Sequence, residues 1–179
     1  MNQKKKLRKQ ITQLKQNYTI ESLRELSKEV IELLKKEEVF DTANMVLLYH
    51  SLPDEVYTHQ LIEELTHTKT IVLPVVVNDI LELRSYKGKE DLKLGSYNIW
   101  EPTGEVFTNY DEIDVVIVPG VGFDSIGNRI GRGKGYYDKL LPKIAAKKLG
   151  ICFPFQYLTK ERIPTEPHDI PMDKIITIK

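Results

Sequence analysis

Leu7, Ile11, Leu14 and Tyr18 recur at spacings of four and three, with Lys, Gln and Arg between them. That spacing predicts an amphipathic helix at the start of the chain. A second helix is predicted after Thr19, a suitable N-cap, with Glu21 in its first turn and Leu23, Leu26, Val30, Leu33 and Leu34 as its buried stripe. After Thr42 the period changes. Met45 to Tyr49 is a short continuous apolar run, as expected of a strand covered on both faces. The alternation then repeats: Leu61, Ile62 and Leu65 at helical spacing, a strand from Thr70 to Val77, and a turn at Asn78-Asp79 into an antiparallel strand ending at Tyr86. Pro74 suggests a bulge or a sheet edge.

The stretch from Lys87 to Thr108 is broken by glycine and proline and is expected to be loop-rich. Asp114 to Val118 reads as a buried strand, Gly135 to Lys148 as a helix, and Lys148 to Phe153 and Lys174 to Ile178 as strands. Strand and helix alternate throughout. The expectation is one domain over residues 1–179, an α/β fold of three layers with a mostly parallel sheet and helices on both faces. In such sheets ligands bind beyond the carboxyl ends of the strands, which directs attention to the loops Tyr49–Tyr57 and Pro119–Asp138.

Composition removes several function classes. The 179 residues carry 26 basic and 26 acidic side chains, so no global charge invites nucleic acid or anionic lipid. No apolar run is long enough to span a bilayer, and the Lys-rich opening has no apolar stretch behind it, so no membrane, no secretory signal and a cytoplasmic location are expected. Cys152 is the single cysteine and has no internal partner. The four histidines show no spacing that suggests a metal set or a triad.

Between Pro119 and Asp138 lie six glycines within 16 residues, with Arg129, Arg132 and Lys134 interleaved among them. Glycine lets backbone N–H groups approach a ligand, and a helix start after Gly131, Gly133 and Gly135 would favour negative charge. The segment is neither a Walker loop, which needs Ser or Thr after Gly-Lys, nor a dinucleotide fingerprint, which needs its glycines directly after a strand. A flexible surface loop with solvated charges is the plainer alternative. The aromatic Phe123, Tyr136 and Tyr137 and the acidic Asp124 and Asp138 at its flanks argue for a built anion site.

The run from Val118 to Asp138 resembles the signature of the 5-formyltetrahydrofolate cyclo-ligase family, also called 5,10-methenyltetrahydrofolate synthetases. Lys4 to Arg8, Ser51 to Thr58 and Pro167 to Asp173 resemble three further family segments in the family's order. The resemblance implies a fold similar to sugar-phosphate isomerase-like domains. It also implies an ATP- and Mg²⁺-dependent ring closure of 5-formyltetrahydrofolate that releases ADP and phosphate. The enzyme would supply position and charge rather than a nucleophile.

By that resemblance Lys4, Arg8, Arg129, Ile130, Gly131, Arg132, Gly133, Lys134, Gly135, Tyr136 and Tyr137 bind ATP. Arg132, Lys134 and Tyr137 take part in catalysis, and Asp138 and Asp169 hold Mg²⁺. His50, Leu52, Glu55, Tyr97, Trp100 and Tyr136 bind the folate. Residue by residue, plainer readings stand beside these. Lys4 and Arg8, expected opposite the Leu7 stripe, could be a solvated face, Tyr136 and Tyr137 core aromatics, Asp138 a helix-start acid and Asp169 a turn residue. If Asp138 holds Mg²⁺, Asp138→Asn is expected to keep the fold, since the side chain is isosteric and the helix loses only a small dipole contribution. A monomer is expected. Another formyl- or carboxyl-activating ligase, or a folate-storage module without turnover, are the competing functions.

Overall fold

The computed structural model describes residues 3–179. In chain order the helices are α1 (Gln3–Lys15), α2 (Ile20–Lys35), α3 (Glu38–Asp41), α4 (His59–Leu65) and α5 (Tyr136–Leu140). The first strands are β1 (Met45–Leu47), β2 (Thr70–Val77), β3 (Ile80–Tyr86), β4 (Leu92–Leu94), β5 (Trp100–Pro102) and β6 (Val106–Phe107). They are followed by β7 (Val115–Val118), β8 (Gly122–Asp124), β9 (Arg129–Ile130), β10 (Lys147–Ile151), β11 (Tyr157–Leu158) and β12 (Lys174–Ile176). None of the described helices is long and apolar enough to cross a membrane.

Seven strands form the main sheet in the order β12-β10-β7-β1-β2-β3-β6, parallel from β12 to β2 and antiparallel beyond. Successive strand residues point to opposite faces, so each buried run feeds two cores. Val46, Ile71, Leu73, Val115, Ile117, Leu149 and Ile151 meet α2, α3 and α4 through Val30, Leu34, Phe40, Leu61 and Ile62. Leu47, Val72, Leu83, Val116 and Val118 meet Leu140, Leu141, Ile144, Phe123 and Met172 on the other face. The fold is therefore α/β in three layers, but the second outer layer is thin.

That thinness corrects the helix expected from Gly135 to Lys148. The α-helix stops at Leu140, and a single 3₁₀ turn, Leu141–Lys143, follows. Pro142 sits in that turn and has no N–H to continue an α-helical ladder. The helix expected at the start ends at Lys15, and only Leu7 and Ile11 of its stripe are buried. Leu7 joins a small cluster with Ile130 and Ile163 beside the main sheet, and Ile11 lies against Gly122. Leu14 is exposed, and Tyr18, beyond the helix, packs its ring 4.7 Å from that of Phe155. The stretch expected as loop holds the β4–β5 hairpin and the edge strand β6.

Other local expectations hold. Thr19 caps α2 by accepting from the Ser22 N–H at 3.1 Å. Asn78 and Asp79 both have positive φ, as a tight two-residue hairpin turn requires. By contrast, the bulge or edge expected at Pro74 is not found: β2 lies between β1 and β3 in unbroken register with β3, and Pro74 is tolerated because β1 pairs only from Thr70 to Val72.

A three-stranded sheet, β11-β8-β9, carries the chain from β7 into the glycine-rich segment. Asp124, fully buried at its centre, accepts four hydrogen bonds: from the N–H groups of Ile126, Asn128 and Ile163 and from the Asn128 amide. One carboxylate thus fixes the turn before β9 and ties it to the C-terminal segment. Asp124→Ala would leave buried donors without partners and should cost about 3 kcal/mol. A urea-unfolding midpoint unchanged from wild type would show that those donors find other acceptors.

Candidate active site

The chain leaves β1 toward β2 on one side and later returns to β7 on the other side of β1. The loops leaving the carboxyl ends of β1 and β7 therefore diverge, and the crevice between them is where open α/β sheets bind ligands. A cavity of about 430 Å³ lies there. Every residue from Arg129 to Asp138 lines it, together with Lys4, Arg8, Glu55, Pro119, Gly120, Glu166, His168 and Asp169.

Five cations and four carboxylates face this cavity. Arg129 is buried, donates to Asp138 Oδ1 at 3.0 Å and lies over the Tyr137 ring at 5.4 Å. Its Nη1 also donates to the Pro119 carbonyl at 3.3 Å. A Cβ on Gly131 would stand 3.0 Å from that nitrogen, so any larger residue there would have to push the guanidinium aside by a few tenths of an ångström. Lys4 pairs with Asp169 at 2.5 Å, and Arg8 donates from Nε to the Gly131 carbonyl at 2.8 Å. Lys4 and Arg8 therefore flank the buried stripe of α1 and look into the cavity, rather than lying opposite that stripe. Arg132 Nη2 donates to Asp54 Oδ1 at 2.7 Å and to Glu55 Oε1 at 3.2 Å. Arg8 and Lys134 are ion-paired with no carboxylate among the described residues, and they leave the site a positive surplus.

Because α5 has five residues and follows Gly135 at φ +68, the expected helix-dipole contribution is slight. Gly133 at φ +102 and Gly135 give the loop left-handed turns that other residues resist. Anion attraction rests on the side-chain cations instead.

The opposite wall is a closed loop. Ser51 and Thr58 exchange hydrogen bonds, each backbone N–H to the other's hydroxyl, at 3.2 and 3.1 Å, and Thr58 Oγ1 also donates to the Tyr49 carbonyl. Within the loop the Leu52 N–H donates to Glu55 Oε2 at 2.9 Å. Burial raises the Glu55 carboxyl above its ordinary range, against the opposing pull of the Leu52 N–H and Arg132. Burial also works against ionised Asp54, but Lys15 and Arg132 outweigh it and hold that carboxyl low. Burial pushes the Tyr137 phenol well up, so it stays protonated. The buried Cys152 thiol rises to about 12 and is no nucleophile.

Of the residues expected to meet the folate, Glu55 and Tyr136 line the cavity. His50 does not: its ring stacks on His59 at 3.5 Å, and the His59 ring lies 4.5 Å from that of Tyr57. Leu52 contributes its backbone N–H to Glu55, and Trp100 is half exposed on the β4–β5 hairpin. The Tyr97 side chain lies outside the described residues. Glu166, His168, Pro119 and Gly120 were not singled out as site residues. Their signal was only their nearness to Asp169 and to the end of β7.

Asp138 and Asp169 share the cavity, each giving one oxygen to its ion pair with Arg129 or Lys4. No group of three or more His, Cys, Asp or Glu is arranged for a metal among the described residues. Two carboxylates still fit Mg²⁺, which commonly takes one or two and completes its shell with phosphate and water.

Fold and cavity together define an α/β protein with a cation-rich cavity beside an anchored carboxylate. A model of the 5-formyltetrahydrofolate cyclo-ligase family matches residues 1–178, and the chain belongs to that family. A 5-formyltetrahydrofolate cyclo-ligase of Haemophilus influenzae is 30% identical, over 96% of this chain and 92% of its own. The solved structure of Aquifex aeolicus 5,10-methenyltetrahydrofolate synthetase superposes with a TM-score of 0.85 at 36% identity, covering 97% of this chain and 89% of that one. That of a Mycoplasma pneumoniae 5,10-methenyltetrahydrofolate synthetase gives 0.76 at 25% identity, covering 97% and 98%.

The histidine pair has a measurable consequence. Burial, then the neighbouring His59, lowers His50 from 6.5 to about 4. Between those values the unfolded chain binds more protons than the folded one, so stability falls as pH falls through the window. Glu55, raised by burial, opposes this, and Asp54 and Asp169 titrate lower. His50→Gln should flatten the loss of melting temperature between pH 6.5 and 4 relative to wild type. An equal slope in both proteins would place the titration elsewhere.

Proposed function

We propose that this chain catalyses the ATP- and Mg²⁺-dependent cyclisation of 5-formyltetrahydrofolate to 5,10-methenyltetrahydrofolate, releasing ADP and phosphate. The observation that supports it most is that one cavity joins the cation-rich Arg129–Asp138 segment to the anchored Glu55.

The formyl group is an amide, and its oxygen is a poor leaving group. Transfer of the γ-phosphoryl group to that oxygen makes it one. N10 then adds to the formyl carbon and gives up its proton, and phosphate departs with the original oxygen. Both reacting nucleophiles belong to the substrate, so the protein's part is positioning and charge stabilisation. Arg8 and Lys134 carry the positive surplus for the phosphates, while Lys4, Arg129 and Arg132 adjoin it from their ion pairs. The backbone from Ile130 to Gly135 forms the floor of the nucleotide half. Glu55 suits the N–H donors of a pterin ring. Tyr137, held protonated, donates a hydrogen bond and does not serve as a base. Asp138 and Asp169 would hold Mg²⁺, which when bound neutralises phosphate charge.

Lys134→Ala should lower turnover about 100-fold while leaving stability within about 0.5 kcal/mol, since Lys134 is exposed and ion-paired to no described carboxylate. Formation of methenyl product from 5-formyltetrahydrofolate and Mg-ATP measures this, and wild-type turnover would remove Lys134 from the mechanism. A folate-storage protein would bind the folate and form no product.

Asp138→Asn should raise the Mg²⁺ concentration needed for half-maximal turnover. It should also cost stability, because buried Arg129 loses its charged partner, by about 2 kcal/mol. The expectation of a structurally silent substitution is thus revised. An unaltered Mg²⁺ dependence would leave Asp138 as the partner of Arg129 alone.

A further inference from the structure

Arg132 makes both of its carboxylate contacts through one nitrogen, Nη2. Asp54 in turn accepts from Lys15, the last residue of α1, at 2.5 Å through its other oxygen. Four charges therefore form a ladder, Lys15–Asp54–Arg132–Glu55, across the mouth between the β1 loop and the glycine-rich segment. The rungs differ in mobility. Asp54 and Glu55 sit on the loop closed by Ser51 and Thr58, whereas Arg132 is flanked by Gly131 and Gly133 and its side chain is half exposed. A guanidinium on such a hinge can move, and the two acids cannot follow it.

We propose that Asp54 is a positioning residue that retains Arg132 in a resting place on Glu55, with Lys15 setting how strongly it holds. This rests on the reading of the cavity as a site for Mg-ATP and 5-formyltetrahydrofolate. Asp54 and Glu55 take both hydrogens of Arg132 Nη2, and either bidentate fork of a guanidinium includes that nitrogen, so a phosphate gripped bidentately must draw Arg132 off the two acids. When it leaves, Glu55 Oε1 is released for a pterin N–H. The nucleotide and folate halves are then coupled through a single side chain.

The sign of the effect tests this. Asp54→Asn removes the charged claimant on Arg132 and should tighten binding of a non-hydrolysable Mg-ATP analogue, measured by calorimetry without folate, about fivefold. Lys15→Met leaves Asp54 with Arg132 as its one cation and should weaken the same binding by a similar factor. Both substitutions also alter the general potential near the phosphates. Each is therefore repeated in an Arg132→Ala background, where a potential effect persists and the retention effect disappears. Melting temperatures check that each variant is folded.

Tightening by Asp54→Asn that vanishes without Arg132 establishes the role. Unchanged or weaker binding in Asp54→Asn overturns it, and so does tightening that survives in Arg132→Ala. A wild-type protein that binds no Mg-ATP analogue overturns the nucleotide reading of the cavity, and the retention by Asp54 with it.

Discussion

The reversal of winding between β1 and β7 is the constraint from which the site follows. Two parallel neighbours whose chains depart in opposite lateral directions cannot cover the gap at their carboxyl ends with a shared connection. The gap is filled by whatever the two loops carry. Here one loop is short and cross-braced, with acids at its tip. The other is long, enters through a small sheet organised by buried Asp124, and is rich in glycine and cations. α1 closes the third side, because Leu7 seats it beside Ile130 and Ile11 against Gly122, turning Lys4 and Arg8 inward. Acid wall, basic wall and helix are thus brought together by strand order before any ligand is considered.

The electrostatics of that arrangement are nearly balanced by the protein's own side chains. Lys4 answers Asp169, Arg129 answers Asp138, and Arg132 answers Asp54 and Glu55. A cavity of unopposed cations would repel itself and lower the stability of the fold. Pairing avoids this, but it means that a polyanion entering the cavity competes with carboxylates already in place. On the proposed reading, affinity is then a difference between two sets of ion pairs, and Arg8 and Lys134 are the cations that tip it toward a phosphate.

Much of the fold was legible because its signals are local. Buried runs such as Val115–Val118 announce strands, Thr19 announces a helix start, and Asn78-Asp79 announces a hairpin. Where two local signals conflicted the reading failed: helical periodicity after Gly135 ran through Pro142, and the proline decided. The glycine-rich segment and Glu55 were legible as a candidate site, by composition and by family resemblance. The cross-chain pairings were not. Nothing in the order of residues says that Asp54 faces Lys15 and Arg132, or that Asp138 turns to Arg129, since these depend on which loops the strand order sets opposite each other. His50 illustrates the same limit. It follows β1 toward the site loop, yet its ring stacks against α4, and only the tertiary position of His59 could tell.

The mutual hydrogen bonds of Ser51 and Thr58 bear on how selectivity is divided between the two ligands. They shut the acid loop into a small ring whose shape is set when the protein folds, so a molecule meeting Glu55 meets a template rather than a partner that adjusts. The glycine-rich wall is tied by single side chains, Arg8 to the Gly131 carbonyl and Arg132 to the acids, rather than by a ring of its own. On the proposed reading, recognition is then strict at the acid loop and accommodating at the wall opposite it.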